Sequence, residues 1–377
     1  MWRCALRKNA VRVGSLAIVV SLLLLSSFTK SANAQDQPTI AKDSVQIRAF
    51  TVNVYKGNYD NWSWLPIIDF RVNGPIPSGA QLYVEFNLPT GKWVSFDCPT
   101  EETAAGRWWK NTNCGGRDIG EEKASLYTGM VNFAIKMRNE LAGSDITIFN
   151  GKAKVEKAHS NEAPGPKSAN KWVYFINHDS NMPIGYVYLT ANDLDGWNRP
   201  DFHVAFWVRG DPYKFDPHVF YQGKEIGRIS IDGTIAGAAG CEAKVENNTT
   251  HYVEDALPQK AKWARVECDF PNIKGASKGI ETPSPIPGQV GNLFIMADNP
   301  GDYEVKVLRE NKLARSLKFT LAPGGSFDNG IAKNSKLGSD RVIVPVQILG
   351  TMDGTWDRNA WKDAFYGNPL TGFTPLP

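Results

Sequence analysis

The chain has 377 residues, with 42 basic and 39 acidic side chains and a formal charge of +3. Five of the basic groups (Arg3, Arg7, Lys8, Arg12 and Lys30) lie in the first 34 positions with no acid among them, which leaves 37 bases against 39 acids beyond that point. A near-neutral surface without a basic stripe argues against nucleic acid as a partner, because that partner requires a clustered positive footprint.

The first element has the layout of an export signal. The basic stretch is followed by an apolar run at residues 16–28, and Ala32-Asn33-Ala34 supplies small residues at the two positions a signal peptidase reads. Cleavage is expected after Ala34. The apolar run spans 13 residues, short of the ~20 that a bilayer-crossing helix needs. Cys4 precedes the run, which disfavours the lipidated-cysteine route to a membrane. No later stretch is long and apolar enough to span, so the mature chain is expected to be secreted or periplasmic with no membrane span.

Beyond residue 34, short aromatic and β-branched runs alternate with turn residues, in a chain holding 34 Gly and 23 Pro. That pattern predicts an all-β protein. Four cysteines remain in the mature part: Cys98, Cys114, Cys241 and Cys268. An even count in an exported chain reads as two disulfides, for which three connectivities are open. Neighbour pairing, Cys98 with Cys114 and Cys241 with Cys268, is the expectation, each bond pinning a loop or hairpin to an adjacent strand. Closely spaced CxxC pairs, which a zinc site would want, are absent.

The sequence also repeats itself. Residues 82–88 (LYVEFNL) match 202–208 (FHVAFWV), an offset of 120 that aligns Val84 with Val204. Lys92-Trp93-x-x-Phe96-Asp97-Cys98 matches Lys262-Trp263-x-x-Val266-Glu267-Cys268 at an offset of 170, and Phe133-x-Ile135-Lys136 matches Tyr303-x-Val305-Lys306 at the same 170. Shared order and a repeated offset point to duplication. Two tandem immunoglobulin-like β-sandwich modules are therefore expected, at 43–155 and 169–322, joined by a linker at 156–168. The second holds an insertion at about 211–261. "Immunoglobulin-like" refers to architecture alone, since the cysteine spacings do not suit that fold's usual bridge. The C-terminal extension, 323–377, is expected to add a strand at 341–349 and a short helix at 355–367. That helix sets Trp361 and Phe365 four apart, stops at Gly367 and packs back onto the second module.

Tryptophans in polar surroundings are the candidate ligand contacts. Trp62 and Trp64 stand beside Asn58, Asp60 and Asn61, Trp108 and Trp109 lie between the first two cysteines, and Trp197 sits in an Asp/Asn-rich stretch. Such rings bring large apolar area with a polar handle and can stack on sugars or anchor a protein. Trp93 and Trp263, on matched strands, are assigned to the core. Asp193, Asp195 and Asp201 offer the oxygen donors a structural calcium prefers, without EF-hand spacing. Asn61-Trp62-Ser63 and the two overlapping sequons at 247–250 bear on glycosylation in a eukaryote only.

Catalytic patterns fail inspection. Residues 275–279 read GASKG and match GxSxG, yet the prolines that follow forbid the helix a nucleophile elbow needs, and all five histidines precede Ser277. No HExxH occurs, and His203 reads as a strand residue on an exposed face. The expected function is non-enzymatic binding of a protein or polysaccharide at the cell surface or in the periplasm, with no cofactor. An extracytoplasmic hydrolase with carboxylates in the insertion or between the modules is the competing expectation, and a purely structural envelope component is the third.

Overall fold

The structure is a computed structural model. It describes residues 37–53, 62–102, 108–160, 171–191, 200–229, 240–245, 262–275, 294–323, 325, 327, 341–349 and 360–369. The expected export signal lies outside these.

The protein is all-β. In chain order the first strands are β1 (Thr39–Ile40), β2 (Gln46–Asn53), β3 (Trp62–Asn73), β4 (Ala80–Leu88), β5 (Gly91–Cys98), β6 (Glu101–Glu102), β7 (Trp108–Gly115), β8 (Gly129–Asn139), β9 (Ser144–His159) and β10 (Trp172–Asn177). One sheet runs β1-β3-β7-β6 with β2 also on β3, and a second runs β10-β9-β8-β4-β5. Both bury one face in a common core that includes Trp64, Phe70, Phe86 and Phe133. Period-two alternation produces this arrangement: in β8, Val131, Phe133 and Ile135 are buried while Met130 and Asn132 are exposed. The Cys98–Cys114 disulfide joins β5 to β7 and closes one side of this sandwich. On the opposite side β10 lies against β2, where the Tyr174 N–H donates to Thr51 Oγ1 at 2.9 Å.

The second half comprises β11 (Ile184–Ala191), β12 (Pro200–Arg209), β13 (Phe215–Tyr221), β14 (Lys224–Arg228), β15 (Cys241–Val245), β16 (Trp263–Lys274), β17 (Phe294–Ile295), β18 (Gly301–Arg309), β19 (Lys312–Leu321) and β20 (Arg341–Ile348). They form one long sheet in the order β14-β13-β18-β19-β20-β11-β12-β16-β15, with β17 on β16. β20 changes partner along its length. Residues Arg341–Pro345 pair with β11, and Val346–Ile348 pair with β19. The sheet thus folds over on itself around Val204, Phe206, Phe215, Val266 and Val305. Two tight hairpins fix its register. Gln222-Gly223 and Glu310-Asn311 all have positive φ, the geometry of a two-residue turn matched to strand twist. Cys241 and Cys268 are directly cross-strand between β15 and β16 and form the second disulfide.

Several expectations meet a different arrangement. β9 runs unbroken to His159, and β10 pairs with it in full register, so the strand at 172–177 belongs to the first sandwich. The boundary expected at 169 falls between two strands of one sheet. The stretch expected as an insertion contributes β13, which pairs along its whole length with β18. The β8–β9 and β18–β19 hairpins fall at corresponding positions of the expected repeat, but β8 pairs with β4 whereas β18 pairs with β13. The disulfides differ likewise: one links two sheets, the other two adjacent strands.

The C-terminal segment also departs from expectation. A 3-10 turn at Ala360–Asp363 leads into a single helical turn, Ala364–Gly367, in which Phe365 (φ 50°) and Tyr366 (φ 61°) are left-handed. This backbone sends successive rings into different cores. Phe365 packs with Ile184, Tyr186, Tyr188 and Ile343 of the second half. Tyr366 enters the first core, edge-on to Phe133 with ring centroids 6.1 Å apart. Its hydroxyl accepts the Ile47 N–H at 3.1 Å and lies 3.2 Å from His178 Nδ1. The segment clasps both halves rather than packing back onto the second alone.

Candidate ligand-binding site

Beyond the point where its two sheets enclose core, the first sandwich ends in a cluster of rings and cations. Ala153 and Val155 of β9 are buried in the core, and the strand period puts Lys157 and His159 on the same face, past its edge. The register sets Trp172 opposite His159 and Tyr174 opposite Lys157. The His159 ring lies 3.8 Å from that of Trp172, centroid to centroid. Lys157 Nζ sits over both aromatic partners, 4.7 Å from the Trp172 centroid and 6.0 Å from that of Tyr174. Lys171 Nζ is 5.5 Å from the Trp62 ring. Tyr174 is the base of the cluster. It is buried, its hydroxyl donates to the Trp62 carbonyl at 3.1 Å, and burial raises its phenol pKa. Leu126, whose carbonyl also faces that hydroxyl at 3.4 Å, is 55% exposed.

The tryptophans singled out in the sequence fall in different surroundings. Trp62 is half-buried in this cluster. Trp64, two residues on, is fully buried and donates its indole N–H to the Tyr127 carbonyl at 2.9 Å. A ring with no exposed surface cannot stack on a ligand, so Trp64 is a core residue. Trp109 is half-buried against the first core and Trp108 opens β7 beside it. Trp197, Asp193 and Asp195 lie outside the described residues. Asp201 is buried and paired with Lys274. Trp93 and Trp263 both take part in packing, the second without exposed surface. Trp172 joins the cluster although it stands at the start of the expected second module. Its signal was the Lys171-Trp172 pair, which echoes Lys92-Trp93.

A second constellation occupies the junction of the two halves. On the face of β11, β12, β16 and β20 opposite the core, the Tyr188 hydroxyl donates to Glu267 and its ring stacks on His203 at 4.8 Å. Arg341 reaches Glu267 at 3.3 Å and Asp43 of the first half at 3.9 Å, and Asp43 also meets Arg71 at 3.9 Å. His203 lies 3.7 Å from Asp269 with only 15% of its side chain exposed, so it is not on an open face as expected. Its environment follows from the strands brought beside it. Burial and the Glu267 carboxylate hold the Tyr188 phenol far above its ordinary pKa. Burial lowers that of His203, against the pull of Asp201 and Glu267. Nearby, Lys152, Lys154, Asn177, Asp179, Asp363 and Tyr366 line a cleft of about 110 Å³.

The depressed histidine has a measurable consequence. Above the ordinary histidine pKa both states are neutral. As pH falls through it the unfolded chain takes the proton first, so stability declines until the folded form protonates as well. His203→Gln is expected to flatten this acid-side loss in urea midpoints measured from pH 8 to 5. An unchanged slope would mean that His203 does not contribute to it.

Among the described residues no group of His, Cys, Asp and Glu is placed to hold a metal, and no helix is long and apolar enough to cross a membrane. No protein-family model and no curated protein matches the chain.

Proposed function

We propose that this is an exported, non-enzymatic binding protein whose ligand is a protein or polysaccharide outside the cytoplasm. In this reading its two disulfide-bearing halves are immunoglobulin-like sandwiches descended from one ancestral module. The export layout of residues 1–34 and the two disulfides support an oxidising destination. The corresponding β8–β9 and β18–β19 hairpins support common descent, and the divergent strand neighbours count against a simple copy. No cofactor is needed.

The observation that carries the binding reading is the ring cluster at the end of the first sandwich, where Trp62 and Trp172 keep part of their surface in solvent beside Leu126. Partly exposed aromatic groups of this kind dominate recognition energetics where they occur. Array screening against glycans and surface proteins is expected to give a ligand whose affinity falls by about ten- to a hundred-fold in Trp62→Ala and Trp172→Ala. Ligand binding that survives both substitutions would remove this cluster as the site.

The hydrolase reading draws on one observation, the Tyr188–Glu267 and His203–Asp269 pairs set side by side. Against it, Glu267 is already bonded by Tyr188 and Arg341, and the Arg341–Asp43 pair ties the group into the junction. A cluster committed in this way acts first as an electrostatic join between the halves.

A further inference from the structure

We infer that the ring cluster at the end of the first sandwich recognises an acidic polysaccharide, with its carboxylate or sulfate groups drawn to Lys157. The inference rests on the binding reading above and adds the ligand's charge and class.

The lysines of this edge are not equivalent. Lys152 is paired with Asp363 at 2.6 Å and Lys154 with Glu156 at 2.9 Å. Lys157 is exposed and has no carboxylate partner among the described residues; its contacts are the faces of Trp172 and Tyr174. A surface lysine ordinarily samples many rotamers, and ordering it carries an entropic cost. Here two rings hold the ammonium in place through attraction to their π faces. That cost is largely met before a ligand arrives, which is how preorganisation raises affinity. The positive charge itself is left to be answered from outside. Lys171 stands over Trp62 in the same cluster, 5.5 Å from its ring.

The neighbours narrow the class. His159 and the indole of Trp172 contribute flat, partly exposed surface beside the cation. A flat apolar face next to a fixed positive charge suits a pyranose ring bearing a carboxylate or sulfate. The ring's C–H face meets the aromatic surface and its acid meets the ammonium. An acidic peptide would answer the charge but would not need the flat face.

The test uses the full mature protein with both disulfides intact and follows tryptophan fluorescence and calorimetry. The probes are oligogalacturonate, its fully methyl-esterified form, dextran sulfate, neutral dextran and polyglutamate. The charged saccharides are expected to bind at least ten-fold more tightly than their neutral counterparts, with affinity falling as salt rises. Lys157→Gln should abolish that preference and Lys157→Arg should retain it. Both changes fall at an exposed position, and unchanged thermal unfolding confirms the fold.

Oligogalacturonate and its ester binding equally would overturn the charge assignment while leaving the site a glycan-binding one. Polyglutamate binding as tightly as the charged saccharides would overturn the saccharide assignment. If no saccharide binds while a protein ligand lost in Trp172→Ala is found, the inference fails and the binding reading stands. If nothing binds and no ligand responds to Trp172→Ala, both fail.

Discussion

Tyr366→Ala is expected to destabilise the protein by about 3–5 kcal/mol, the cost of truncating a large buried ring. Three effects combine at this residue. Its ring fills space in the first core beside Phe133. Its hydroxyl accepts the buried Ile47 N–H at 3.1 Å, a bond lost with the phenol. Its backbone, with that of Phe365, is held left-handed at a cost of roughly 1–3 kcal/mol per residue, tolerated only while surrounding contacts enforce it. Removing the ring removes the enforcement, so Phe365 should also leave its place among Ile184, Tyr186 and Tyr188. Tyr366→Phe keeps the ring and removes the hydroxyl that accepts the Ile47 N–H, for about 1–3 kcal/mol. Urea unfolding followed by fluorescence checks both. In the alanine variant, the two halves should unfold in separate transitions. A single transition with a loss under 1 kcal/mol would show that the clasp does not couple them.

The sequence disclosed what is periodic or local and concealed what is assembled from afar. Alternation in stretches such as LYVEFNL marks a strand because a half-buried sheet requires period two, and β4 is where it was expected. Pairing of each cysteine with its neighbour is favoured by short loops, and both disulfides follow that rule. Sheet neighbours are another matter. Residues 215–221 carry nothing that announces Gly301–Arg309 as their partner, with Phe215 set opposite Arg309 and Tyr221 opposite Tyr303. The tryptophans make the same point at close range. Trp62 and Trp64 share a face of β3, yet one lies at the rim of the sandwich and the other inside it, a difference set by how far the opposing sheet extends. The junction network draws Asp43, Glu267 and Arg341 from three remote segments, and no local pattern could have joined them.

Loss of the Cys98–Cys114 bond is expected to cost more than loss of Cys241–Cys268, the reverse of what loop length alone implies. In the chain-entropy model a loop of 16 residues contributes about 3 kcal/mol and one of 27 about 3.5 kcal/mol. That model assumes that breaking the bond is felt by the whole folding unit. Cys98 and Cys114 are both buried, and their bond ties the outer strand of one sheet to the facing sheet. Without it, β5 and β7 are kept together by packing and by the Asn111 side-chain amide, which donates to the Cys98 carbonyl at 2.9 Å and the Pro99 carbonyl at 2.7 Å, and the core between Val94 and Phe70 should open more readily to solvent. The other bond fastens β15, a five-residue strand at the end of its sheet that pairs, among the described residues, only with β16. An edge of that size can detach while the rest of the sheet persists, so its loss registers as local opening rather than global unfolding. Replacing both cysteines of the first pair by alanine should therefore lower global stability by about 3–5 kcal/mol. The same change in the second pair should cost about 1–2 kcal/mol, as for a local contact. Hydrogen exchange separates the cases. Fast exchange should spread over β5, β6 and β7 in the first variant and stay within β15 and its partner residues of β16 in the second. Equal global losses, with exchange raised throughout the second half when Cys241 and Cys268 are replaced, would show that β15 belongs to the cooperative core and that loop length governs after all.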